Sequence, residues 1–297
     1  MQIQEVCRQF YDYSRFIRGY SDETIRRYKN GVEFFARVEK IESMNQISDQ
    51  KVKDFFLYGR TTREWQASTF ITYHKTLVVF LRWCVEKKYI SDNYAEDIET
   101  PKLNKKLPSR LTKQQANRIL EITYNYPYKY TFLRYRNHAM FSVFFYTGLR
   151  KKELLKLRYT DVDLDNLSIF VYQGKGSKDR IIPISTKLAE ILSKYVSERK
   201  RLDRTCPEFF TSLNRNNGVS NSSLKRLISK IKDVSGIYFT AHKLRHTFAT
   251  LMLEGGCDIY SLSRMMGHSD IKTTTIYLAT SAEHLRKQMG KHPLNEL

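Results

Sequence analysis

Apolar residues recur at helical spacing along most of this chain and give way to β-branched runs in one short region. Residues 3–18 open with a helical pattern. Ser21 then precedes Asp22 and Glu23, acids suited to a first turn, and Ile25, Tyr28, Val32, Phe35 and Val38 follow at intervals of three or four. Ser48 stands in the same way before Val52, Phe55 and Phe56, and a longer segment, residues 64–88, carries Trp65, Phe70, Tyr73, Leu77, Phe80, Leu81 and Trp83. Four helices in about 100 residues predict a small bundle whose aromatics form its core rather than stack on bases.

The rest of the chain mixes elements. Thr112 caps a helix running to Ile122, and a second helix is expected over residues 135–146. Two β-branched runs, residues 167–172 and 180–184, flank Gly174-Lys175-Gly176-Ser177-Lys178-Asp179 and predict a hairpin. Helices follow at about 187–203, 221–234, 242–254, 258–266 and 271–288. The fold class is therefore mainly α with a small β component. Between the two halves, residues 101–110 hold two prolines and little apolar content, as an extended linker does. The expected domains are a helical unit, residues 1–100, and a mixed α/β unit, residues 111–297.

Composition narrows the class of partner. The chain has 297 residues, 41% hydrophobic and 13% aromatic, enough to bury real cores and to exclude a disordered basic tail. It carries 51 Lys+Arg against 31 Asp+Glu, a net charge of +20, larger than solubility requires. Residues 1–100 are nearly neutral, with 16 basic and 15 acidic side chains, so the remainder carries almost all of the surplus. A polyanion is the implied partner, and nucleic acid is the default one. No apolar run reaches the roughly 18 residues of a membrane span, and MQIQEVCRQF lacks a signal-peptide core. Cys7, Cys84, Cys206 and Cys257 lie far apart, which argues against a disulfide framework and a zinc knuckle. The expectation is a soluble, reduced, cytoplasmic protein.

Several enzyme patterns are missing. Gly174-Lys175-Gly176-Ser177 fails the spacing of a phosphate-binding P-loop, and no GxGxxG, HExxH or GxSxG occurs. Asp161, Asp163 and Asp165 read as turn formers rather than metal ligands. Chemistry on phosphate would then fall to fixed cations and a protein nucleophile, with no metal and no cofactor. The most informative stretch is HKLRHTFAT, residues 242–250. His242 and Arg245 share a helix face at i and i+3, and a His–Arg pair opening a helix suits an oxyanion. A zinc site from His242 and His246 is the alternative, but it needs further ligands that no Cys or acid is placed to give. Arg150 follows Gly148 at a helix start, a poor place for a cation unless it meets an anion. Lys175 lies at the hairpin tip, and Tyr277 falls nine residues after His268 in a Thr-rich helix.

The order Arg150, Lys175, His242-x-x-Arg245, His268, Tyr277 resembles the catalytic set of the tyrosine recombinases, or phage-type integrases. The strings TGLRKKEL, GKGSKDR, HKLRHTFAT and MMGHSDIKTTTIY are similar to motifs of that family, above all of its Xer-type members. The resemblance covers about residues 110–292 strongly, and the helical first domain agrees with the family's core-binding domain. Lys152 stands where many relatives have Ser, and His242-Lys243 replaces a frequent His-Asp; neither departure touches the six positions. The implied fold is a four-helix core-binding bundle and a mixed α/β catalytic domain, clamped around DNA.

The implied activity is site-specific recombination. Tyr277 would attack a DNA phosphodiester to give a 3′-phosphotyrosyl link and a free 5′-hydroxyl, with His242 assisting its loss of a proton. Arg150 and Arg245 would hold the nonbridging oxygens, His268 would add a hydrogen bond, and Lys175 would protonate the leaving oxygen. The implied partners are double-stranded DNA and three further protomers, in a homo- or hetero-tetramer on two sites. The final helix, near residues 283–289, is the expected contact with a neighbouring protomer. The setting would be chromosome-dimer resolution or mobile-element integration and excision. A type IB topoisomerase would share the chemistry, and a silent DNA-binding regulator would share the fold. The small bundle and the Xer-like tail favour recombination over the first, and the six intact residues speak against the second.

Overall fold

Ser21 and Ser48 each accept the backbone N–H three residues on, at 3.4 Å from Thr24 and 3.3 Å from Lys51, and each opens a helix. The computed structural model describes residues 1–103, 109–172, 179–268 and 270–278. The chain divides into two units, Met1–Lys105 and Lys106–Leu297. Of the expected linker, residues 104–108 lie outside the described residues.

The first unit contains α1 (Ile3–Asp12), α2 (Asp22–Val38), α3 (Asp49–Thr61) and α4 (Ala67–Glu86). α1 passes into a π turn, Tyr13–Ile17, where regular helix was expected. α4 begins three residues later than expected because the chain first folds back. Glu64 takes a positive φ of 50°, and the Trp65 N–H donates to the Gly59 carbonyl at 2.9 Å. The indole then covers Gly59 so closely that a Cβ there would fall 2.2 Å from it. Phe10, Phe35, Phe55 and Phe80 are fully buried, and Phe55 meets Phe35 and Trp65 edge-on at 5.2 Å, so the aromatics are core.

The second unit is built on α6 (Thr131–Thr147), which is apolar around most of its circumference and packs against α5 (Lys113–Asn125), α8 (Thr186–Arg201) and α10 (Ala241–Glu254). It starts four residues ahead of the expected 135 because Phe132 is also drawn into the core. A short α7 (Lys151–Lys156) leads to an antiparallel sheet of β1 (Val162–Asp163), β2 (Ser168–Val171) and β3 (Arg180–Pro183) in that order. The expected hairpin is the β2–β3 pair, with Ile169 opposite Ile182 and Val171 opposite Arg180. The Asp163 carboxylate accepts the backbone N–H groups of Asp165 and Asn166, a turn-forming role. α9 (Asn221–Ser235), α11 (Ile259–Met266) and α12 (Lys272–Thr275) complete the unit. The hairpin tip with Lys175, and the expected final helix beyond residue 278, lie outside the described residues.

Candidate active site

α6 stops at Gly148, whose φ of +61° is the left-handed conformation that suits glycine. A side chain would not fit there in any case, since a Cβ would lie 2.3 Å from the Phe248 ring. The turn delivers Arg150 as the N-cap of α7. Its backbone N–H donates to Glu153 Oε2 at 2.7 Å, and its Nη1 donates to Oε1 at 2.8 Å.

α11 stops in the same way at Gly267, φ +65°, with the His268 N–H closing back onto Ser263 at 3.1 Å. The last carbonyls of a helix lack helical partners and carry partial negative charge. Here three successive carbonyls each take one arginine. Arg180 Nε donates to Met265 at 2.7 Å, Arg245 Nη2 to Met266 at 2.6 Å, and Arg150 Nη2 to Gly267 at 2.9 Å. Arg245 Nη1 also donates to Gly148 at 2.6 Å, tying the end of α6 to the end of α11. Glu153 supplies the anion for the cluster, accepting from Arg180 at 2.9 and 3.2 Å as well as from Arg150. Burial pushes the Glu153 carboxyl up, but the bonds from Arg180 and Arg150 outweigh this and hold it below its ordinary range. Arg245, only 4% exposed, is brought down to about 10 by burial first and then by Arg150, so it stays charged at neutral pH.

His268 Nε2 lies 3.0 Å from Arg245 Nη2 and, facing a donor, must accept. Its proton is then on Nδ1, 2.7 Å from Thr274 Oγ1. Burial, followed by Arg245, Arg150 and Arg180, lowers its pKa to about 4, so the ring is neutral. Tyr277 follows α12 and is 2% exposed. Burial raises the pKa of its phenol, while Arg245 and Arg150 pull it back. Its hydroxyl sits 2.8 Å from Nδ1 of His246, on the second turn of α10. His242, one turn earlier, is exposed. It lines an open cavity of about 560 Å³ with Arg150, Lys151 and Arg245, and with Lys225, Arg226 and Lys232 of α9.

The structure thus brings Arg150, His242, Arg245, His268 and Tyr277 together in one unit, and Lys175 lies outside the described residues. Glu153 and Arg180 do not stand out in the sequence, and His246 stands out there only as the second member of the alternative zinc pair. Arg180 had a readable signal: alternation along β3 puts it on the same inward face as Ile182, where an arginine requires an anion. Among the described residues, no group of three or more His, Cys, Asp and Glu side chains could hold a metal ion, so His242 and His246 find no further zinc ligand. Among the described residues, too, no helix is long and apolar enough to cross a membrane.

Comparison with known proteins shows the family. Residues 109–284 match the phage integrase family, and residues 7–91 match the phage integrase N-terminal SAM-like domain. The tyrosine recombinase XerD of Oceanobacillus iheyensis is 30% identical over 303 residues, covering 98% of this chain and 99% of that protein. Among solved structures, the XerA recombinase is 27% identical, covers 97% of this chain and 98% of its own, and superposes with a TM-score of 0.55. The XerH site-specific recombinase, solved bound to its palindromic difH substrate in a post-cleavage complex, is 20% identical. It covers 96% of this chain and 83% of its own with a TM-score of 0.72, a likeness of fold. The chain belongs to the phage integrase family of tyrosine recombinases, in which Xer-type proteins are among its relatives. It is a site-specific recombinase.

Proposed function

We propose that the protein cuts and rejoins DNA through a covalent bond between Tyr277 and a 3′-phosphate. The observation that carries this reading is the site itself. A buried tyrosine hydroxyl lies within the field of two arginines, Arg150 and Arg245, that are locked by helix-end carbonyls at the edge of a basic cavity. A phosphodiester entering that cavity meets both guanidiniums, whose forks fit nonbridging oxygens, and His242 beside them as a further donor. As the attack proceeds, charge grows on those oxygens, and pre-positioned donors stabilise it at no cost in reorganisation. His268 adds its hydrogen bond once the phosphate takes over its contact with Arg245: the ring's proton then sits on Nε2, facing the phosphate, and the Thr274 hydroxyl turns to donate to Nδ1. Lys175, from the hairpin, protonates the 5′-oxygen as it leaves. The covalent link retains the energy of the broken bond, so a second strand's 5′-hydroxyl reverses the step without ATP.

Exchange of strands requires two duplexes, and we place four protomers on them, joined through the final helix expected near residues 283–289. The same chemistry serves chromosome-dimer resolution and mobile-element integration or excision. A nicked suicide substrate tests the proposal, because loss of the short fragment traps the intermediate. A protein–DNA adduct stable to denaturant should form with the wild type and be missing in Tyr277→Phe. An adduct that persists in that variant overturns the assignment of the nucleophile.

A further inference from the structure

We infer that His246 is a catalytic residue of this site, the base that takes the phenol proton from Tyr277 as it attacks. The inference rests on the proposed nucleophile and goes beyond it. Free tyrosine holds its proton at neutral pH, so an attacking Tyr277 must hand it to something within reach. His246 Nδ1 lies on the hydroxyl at 2.8 Å, with the two rings 5.5 Å apart and tilted by 51°. His242 points instead to the exposed cavity, on the phosphate side.

The charges around His246 make it a weak base in the free protein. It faces His242 and Arg245 on its own helix, Tyr277 beyond α12 and His268 beyond α11, with Arg150 acting on both of the last two and Arg180 on His268. Burial first, and then His242 and Arg245, hold its pKa below the usual histidine value, so the ring is neutral and Nδ1 can accept from the phenol. A phosphate bound by Arg150 and Arg245 offsets those cations and makes the imidazole a stronger base at the moment it is needed. The phenol O–H bond then breaks and its electron pair forms the O–P bond. The proton bonds to Nδ1, giving an imidazolium. The P–O5′ bond breaks, and the 5′-oxygen leaves with a proton from the general acid. In rejoining, His246 returns its proton to the departing phenolate.

The test is single-turnover cleavage of the suicide substrate by the full chain and by His246→Asn, whose amide oxygen can still accept the phenol hydrogen bond but cannot take the proton. The variant should bind DNA as the wild type does and cleave slower by a factor on the order of 10²–10⁴ near neutral pH. The deficit should narrow as the pH rises towards the phenol's own pKa, and it should persist on a 5′-phosphorothiolate substrate, whose leaving group needs no acid. Wild-type cleavage by His246→Asn, or a deficit constant with pH, overturns the inference. If the variant does not fold, nitrogen NMR of the wild-type imidazole decides the matter. Nδ1 should be the unprotonated nitrogen, with a resonance that moves in Tyr277→Phe; a protonated Nδ1 in the neutral ring overturns the inference. An adduct retained by Tyr277→Phe would instead sink the nucleophile assignment on which it rests.

Discussion

Arg180 Nη2 lies 2.9 Å from Glu153 Oε2, and both side chains are at least nine-tenths buried. The same carboxylate orients Arg150, so one acid positions the arginine proposed to bind the phosphate through an ion pair formed on its far side. Removing it in Glu153→Ala leaves a buried guanidinium without its counter-charge, which typically costs about 3–5 kcal/mol. The variant's urea midpoint should fall accordingly, and its cleavage rate should fall further than its DNA affinity, because Arg150 loses its orientation.

The same pair sets an acid limit. The folded pKa of Glu153 lies below its unfolded value, so its stabilisation is complete above the ordinary carboxylate pKa and is lost as the pH falls towards the folded one. His268 acts in the same direction. With a folded pKa of about 4 against an ordinary value of about 6.5, it weakens the fold as the pH drops between those two. Urea midpoints should therefore decline from neutral pH downwards, and Glu153→Gln should flatten the lower part of the curve. NMR of the free protein should find the His268 ring still neutral at about pH 5.5.

Gly148→Ala should damage fold and chemistry together. It forces an L side chain into a left-handed conformation and against Phe248, a cost of about 2 kcal/mol or more. It also shifts the carbonyl that anchors Arg245 and the turn that presents Arg150. Calorimetry and suicide-substrate cleavage should both register the loss.

Arg245→Lys keeps the charge but not the fork that reaches Gly148, Met266 and His268 at once. Cleavage should fall by a factor on the order of 10²–10³ with little change in DNA affinity. Lys225→Ala, on the wall of the cavity, should behave in the opposite way. It should weaken binding for all DNA sequences and reduce the slope of log affinity against log salt by about 1, with cleavage of bound substrate unchanged.

The helices and the hairpin were readable because their signals are local: serine caps at Ser21 and Ser48, periodic apolar positions, and a glycine-bearing turn between β-branched runs. Arg150, Arg245 and His268 were readable because each stands in a distinctive string. The cluster that holds them was not. Arg180 meets Glu153 across 27 residues and the end of α11 across 85, and no local pattern encodes such closures. His246 was hidden in another way. Its partner is 31 residues off, and the local spacing offers it only as a zinc ligand beside His242. Residues 64–66 stay outside α4 although helical periodicity runs on through Trp65, because the indole packs on Gly59 instead.

The hydroxyl of Tyr277 should become bonded to DNA. Protease digestion of the trapped adduct, followed by mass spectrometry, reads this directly. A peptide bearing a nucleotide remnant on Tyr277, linked through the 3′-phosphate, is the expected result. A remnant on any other residue, or a link through a 5′-phosphate, would contradict the account.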